Sequence, residues 1–270
     1  MIRRGDGRRT VLVALVSTAV LFTALGFAIV NSPGWPQVRE AFFNGHRFAA
    51  DFPGIASAFL LNVKLFAIAE ALILPLALLL AVLRGLPGPV FFPIRALAIA
   101  YVDFFRGIPT ILLILLLGFG APSLDLSWVP QGEFFWGTTA LVLIYTAYVS
   151  EVYRAGIESV HPSQEAAARS LGLSRLQGLR YVIVPQAVRR VIPPLLNDFI
   201  GLQKDTALVS TLGVIEALQQ ASIDTNATFN FTPYLAAAVL FVAITIPLTR
   251  FTDWLVARDR ARRQAAGVAA

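Results

Sequence analysis

What most constrains this chain is a set of apolar runs, the longest of them beyond the roughly 18 residues at which a helix can cross the hydrocarbon core of a bilayer. Residues 11–30 and 55–83 are the plainest, and further apolar stretches follow near 95–119, 136–153, 188–202 and 234–249. Hydrophobic residues make up 57% and charged residues 14%, and the mean hydropathy is +0.70. That is well above the apolar share of a soluble domain. The pattern predicts an all-α integral membrane protein with six spans.

A net charge of +6 could suggest nucleic acid, but the placement of the cations argues for a bilayer instead. The segments 31–53, 121–135 and 206–232 hold two Lys/Arg in all. The N-terminus with 84–95, 154–190 and 250–263 holds 4 + 2 + 6 + 5 = 17. The positive-inside rule then places both termini and the 154–190 region in the cytoplasm, and six spans satisfy that parity. A basic start (Arg3, Arg4, Arg8, Arg9) before an apolar run also fits a signal peptide. The run is long for a signal core, however, and its small-x-small sites lie inside it, so a retained first helix is expected.

In chain order, Pro33, Gly34, Pro36, Gly45 and Pro53 predict a loop over 31–53. One helix is expected over 95–119, its first part (Asp103, Arg106) at the interface. The span near 188–202 should break at Lys204-Asp205, followed by a short segment over 207–221 and a polar loop.

Catalysis by this chain alone is not expected. A P-loop needs Gly-Lys-Ser/Thr to hold phosphates, and the two lysines, Lys64 and Lys204, follow Val63 and Gln203. His46 and His161 fall on opposite sides of the predicted membrane, so no shared metal site is expected. The absence of cysteine excludes thiolate ligands and disulfides.

Residues 161–185, HPSQEAAARSLGLSRLQGLRYVIVP, form a polar, Arg-bearing island between apolar segments. Ser163 is expected as N-cap, with Glu165 in the first turn near the positive end of the helix dipole. Ala166, Ala167 and Ala168 propagate the helix, and Gly172 ends it in a left-handed turn. Ser174 and Gln177 form a capping box for a second short helix that should stop before Pro185. Small alanines permit close approach to a partner, and Arg169 and Arg175 offer forked donors to carboxylates. Read blandly, the island is an ordinary basic loop, cationic only because of topology.

This island resembles the cytoplasmic "EAA" loop of bacterial ABC-importer permeases. Three further segments resemble the polar-amino-acid branch of that family: VDFFRGIPT at 102–110, AYVSEVYRAGIESV at 147–160 and NDFIGLQKDTALVSTLGV at 197–214. They fall in the family's order, and the resemblance covers roughly residues 54–256. Counting back from Gly172, the slot where the family carries Glu holds Ala166, and Glu165 lies one position earlier.

The resemblance implies the five-helix core of type I importer permeases, with the first helix as an addition. The implied division is a stub, first helix and external loop over 1–53, a transmembrane domain over 54–256 and a basic tail over 257–270. It implies a pathway for a polar amino acid and alternating access between two permease subunits, identical or related. An extracytoplasmic amino-acid-binding protein would deliver the solute. Separate ATP-binding subunits would grip the 161–185 loop (Ser163, Glu165, Ala166, Ala167, Ala168, Arg169, Gly172, Pro185). ATP and Mg would then sit on those partners, no cofactor would be bound by this chain, and the location would be a bacterial cytoplasmic membrane.

Ionisable groups inside spans are expensive and mark interiors or pathways. Glu70 could line a pathway or merely bond across helices. Asn197, Asp198, Lys204, Asp205 and Thr206 surround a helix break of the kind that exposes backbone near substrate sites, or else form a structural contact within a kinked helix. Glu151 and Arg154 lie on one helical face beside the island and are expected to anchor it, the bland alternative being an ordinary interfacial ion pair. Other small solutes (an opine or a compatible solute), a secondary transporter working alone and a membrane scaffold are the competing readings.

Overall fold

A computed structural model describes residues 7–265. Arg3 and Arg4 lie outside the described residues, as do the side chains of Arg8, Arg175, Arg260, Arg262 and Arg263. All regular structure among the described residues is helical: α1 Gly7–Val30, α2 Trp35–Phe42, α3 Gly45–Arg84, α4 Phe92–Gly107, α5 Thr110–Gly120, α6 Glu133–Glu158, α7 Pro162–Ser170, α8 Arg175–Gly178, α9 Val184–Asp205, α10 Ala217–Thr228 and α11 Thr232–Ala265. A π segment, Leu179–Ile183, joins α8 to α9, and a 3₁₀ segment, Thr206–Leu212, follows α9.

The bundle is organised around α6. Its residues from Gly137 to Ser150 are buried on nearly every side. A stripe on α3 at four-residue spacing (Leu65, Ala69, Ile73, Ala77) joins α6 in one core with Leu113 and Ile114 of α5 and Leu202, Val209 and Leu212 beyond. Four-residue spacing keeps those side chains on one helical face. A second cluster, Ile55 and Phe59 with Ala217, Ala221, Ala236 and Ala237, packs α10 and α11 against α3. Small residues let α6 and α9 approach closely: a Cβ on Gly156 would lie 2.0 Å from Val191 Cγ2.

α1, the line from Trp35 to Arg84, and α11 are long and apolar enough to cross a membrane, and the α4–α5 pair makes a fourth candidate. α6 is about 39 Å long, sufficient to cross. Protein rather than lipid surrounds it, so Thr138, Thr146 and Ser150 are tolerated there. α1 is helical, and none of its apolar length is covered by the bundle.

Four local expectations are corrected. Residues 31–53 are mostly helical, because Asn44 caps α3 by accepting from the Arg47 N–H at 3.1 Å, and Phe48 and Phe52 pack onto the α10–α11 cluster. The expected helix over 95–119 is two helices bent by 103°. Pro109 forces Ile108 into extended backbone (ψ 134°) and cannot continue the ladder. The helix after Gly172 does not stop before Pro185. Pro185 removes the N–H that Tyr181 would receive, the ladder widens into the π segment, and the helix continues to Asp205. Finally, α11 runs unbroken well past 249, to Ala265.

Candidate functional site

The 161–185 island folds as an elbow. Its N-cap is His161 rather than Ser163: His161 Nδ1 accepts from the Ser163 N–H at 3.2 Å, and Pro162 supplies a preset first turn. Glu165 and Arg169 pair at 2.5 Å across one helical turn, both well exposed. Gly172 sits at φ +80°, the left-handed turn that favours glycine. The capping box forms as expected, with the Ser174 N–H donating to Gln177 Oε1 at 2.8 Å and the Gln177 N–H to Ser174 Oγ at 3.3 Å.

The three alanines divide. Ala166 and Ala167 face outward, whereas Ala168 is buried against Gly178 and closes the elbow on itself. α7 leans chiefly on its own return, including a Gln186 Nε2 to Gln164 Oε1 bond at 3.2 Å, and Arg190 donates to the Ser159 carbonyl. Pro185 stands exposed within that return. The sequence reading missed Leu171, Leu176 and Tyr181, which are 81%, 73% and 64% exposed. Apolar residues inside an otherwise hydrophilic island were the signal for them.

Beside the elbow, Glu151 is a hub for three helices. Arg84 from the end of α3 bonds it directly, Arg154 from its own helix donates at 2.8 Å, and Arg106 from α4 stands 3.8 Å away. Arg154 also reaches Glu158 at 2.5 Å. Glu151 and Arg154 thus form an ion pair that Arg84 and Arg106 extend. Among the described residues their partners lie on α3, α4 and α6 rather than in the 161–185 island they were expected to anchor. The Arg106 guanidinium also lies 5.7 Å over the Tyr148 ring. Arg106, Tyr148, Glu151, Arg190 and Asp198 line a single cleft of about 380 Å³.

The polar set near the helix break does not form one site. Asn197 is exposed. Asp198 lines the cleft just described, within the field of Arg106 and close enough to act on Glu70, and its Oδ2 is shielded with no hydrogen-bond partner among the described residues. Asp205 accepts from the Tyr145 hydroxyl at 3.0 Å. Lys204 lines a separate cleft of about 240 Å³ with Tyr234 and Phe241.

Thr206 belongs to a different structure altogether. Asn62 Nδ2 donates to Thr206 Oγ1 at 3.1 Å and to Glu216 Oε2 at 2.7 Å, while Asn62 Oδ1 accepts from the Ala217 N–H at 3.1 Å. Glu216 is fully buried and caps α10 through the N–H groups of Leu218 and Gln219, at 3.0 and 2.9 Å. Neither Asn62 nor Glu216 was singled out from sequence, since a cap glutamate and a lone span asparagine look ordinary until the fold joins them. Among the described residues no three His, Asp or Glu side chains gather as metal ligands.

An all-helical bundle with an exposed elbow and a charged cleft beside it defines a multi-pass membrane protein. The profile of the family described as binding-protein-dependent transport system inner membrane component matches residues 73–260, and the chain belongs to that family of transport permeases. It is 36% identical to the probable glutamine ABC transporter permease protein GlnM of Bacillus subtilis, over 63% of this chain and 77% of that protein. It is 35% identical to the probable amino-acid ABC transporter permease protein PatM of Vibrio harveyi, over 68% and 81%. A crystal structure of an amino acid ABC transporter with histidines superposes with a TM-score of 0.68 at 32% identity, covering 76% of this chain and 94% of that one.

Proposed function

We propose that this permease forms the translocation pathway for a polar amino acid and works with separate ATP-binding subunits, a second permease subunit and an extracytoplasmic binding protein. ATP and Mg are held by those partners, and the chain itself binds no cofactor. The membrane is the bacterial cytoplasmic membrane, with both termini and the elbow inside. Relatives named for glutamine, glutamate and arginine support an amino acid as cargo.

The observation that carries the reading is the elbow. It leaves Leu171, Leu176 and Tyr181 exposed to a partner, together with the exposed Arg169, Ala166 and Ala167. Exposed apolar and aromatic side chains with an arginine among them suit a docking surface. Glu165 is already paired with Arg169, so contact with the ATP-binding subunit rests on shape and apolar area, and Ala166 at the usual Glu slot costs little. Force on the elbow passes along the return helix into α9, which is tied to α6 by Arg190 on the Ser159 carbonyl and by Val191 packed at Gly156.

The test is purification from native membranes followed by hydrolysis assays with binding protein and a panel of amino acids. An ATP-binding subunit that comes with the chain and is stimulated by one amino acid supports the reading. A chain that purifies alone and moves solute down an ion gradient overturns it. Gly172→Pro, whose ring cannot adopt φ +80°, should abolish transport while membrane insertion persists. Wild-type uptake by that variant would remove the elbow from the mechanism.

A further inference from the structure

α9 and α11 run antiparallel. Thr245 of α11 donates to Gln203 of α9 at 3.1 Å, and nearer the elbow the two helices part to form a cleft of about 280 Å³ lined by Arg189, Ile192, Pro193, Leu255, Arg258 and Asp259. This cleft shares no lining residue with the one that holds Asp198. Its lining is graded. Arg189 precedes Ile192 and Pro193 by about one turn on α9, and Arg258 and Asp259 follow Leu255 by about one turn on α11. Because the helices are antiparallel, both charged ends fall at the same level, with both apolar ends one turn deeper.

We propose that this cleft binds an anionic phospholipid, its phosphate between Arg189 and Arg258 and the start of its acyl chains against Ile192, Pro193 and Leu255. Two guanidinium groups against the single Asp259 carboxylate leave the rim at +1, which suits a monoanionic phosphodiester. Arg258 is already oriented, with its guanidinium 5.1 Å over the Trp254 ring, and tryptophan at this level is a usual membrane-interface anchor. A free phosphate would use the rim but gains nothing from the apolar floor. Basic clefts between helices on the cation-rich side of a membrane are where lipid headgroups are held.

The experiment is native mass spectrometry of the full permease purified with its partner subunits. It is titrated with phosphatidylglycerol, with phosphatidylcholine of the same acyl chains, and with inorganic phosphate. The wild type should retain phosphatidylglycerol over phosphatidylcholine, and Arg189→Ala and Arg258→Ala should each weaken retention roughly five-fold. The pair Arg189→Lys and Arg258→Lys keeps the charge and should keep most of the binding, which controls for folding. Equal retention of both lipids, or undiminished phosphatidylglycerol binding after both alanine changes, overturns the proposal. Displacement of the lipid by millimolar inorganic phosphate overturns it too, and reassigns the rim to a soluble anion.

Discussion

Two polar regions lie within this bundle, one around Asn62, Thr206 and Glu216 and one around Asp198 and Arg106, and the chain treats them differently. In the first, both oxygens of the Glu216 carboxylate are taken by donors of the same chain, and Asn62 uses both its donor and its acceptor. In the second, one oxygen of Asp198 finds no partner among the described residues, and Arg106 is held only loosely, 3.8 Å from Glu151. A buried polar group whose bonds are all internal has nothing left to offer a solute, whereas an unanswered one is costly until something binds it. The first region fastens α10 and the 3₁₀ segment to α3, and the second keeps bonding capacity on the wall of a cleft.

The sharpest way to break this contrast is Asn62→Ala, which strips a partner from a fully buried carboxylate. It should cost about 3 kcal/mol of stability, read as a large fall in melting temperature in detergent. A variant that melts like wild type would show the knot to be dispensable. Glu151→Gln comes next, because it leaves Arg84, Arg106 and Arg154 facing one another. A loss of about 1–2 kcal/mol, with more hydrolysis per solute transported, is expected in the assembled complex.

Asp198→Asn should behave in the opposite way to Asn62→Ala. Its stability should stay within about 1 kcal/mol of wild type, read as a nearly unchanged melting temperature, while transport falls roughly ten-fold, the loss of one charged contact. Normal uptake by this variant would return Asp198 to a purely structural role. The smallest effect belongs to Glu165→Ala, which removes an exposed pair worth about 0.3 kcal/mol and should leave both stability and transport near wild type.

Much of the elbow was legible because its signals are local. A capping box, an alanine run and a glycine at φ +80° depend on a few neighbouring residues, and they formed as read. The fold class was legible for a related reason, since bilayer thickness sets the length of an apolar run. The buried knot was not, because Asn62 and Glu216 are 154 positions apart and neither is unusual alone. The helix break at Lys204-Asp205 was found, but the direction of each side chain around it depends on what packs against α9. Hence Lys204, Asp205 and Thr206, adjacent in sequence, end in three different settings. Asn44 and the packing of Phe48 and Phe52 likewise overrode the glycines and prolines that suggested a loop.

The continuation of the helix past Pro185 has a mechanical consequence. From Arg175 to Asp205 the backbone is helical without interruption, a single rod, and Val191 on it packs closely against Gly156 of the central helix. That contact lies 16 residues from Arg175 and 14 from Asp205, arms of about 24 and 21 Å. With the pivot there, the rod is a balance beam: a push on the elbow in one direction carries the Asp205 end the other way by nearly the same distance, and Asp198, seven residues from the pivot, by somewhat under half as far.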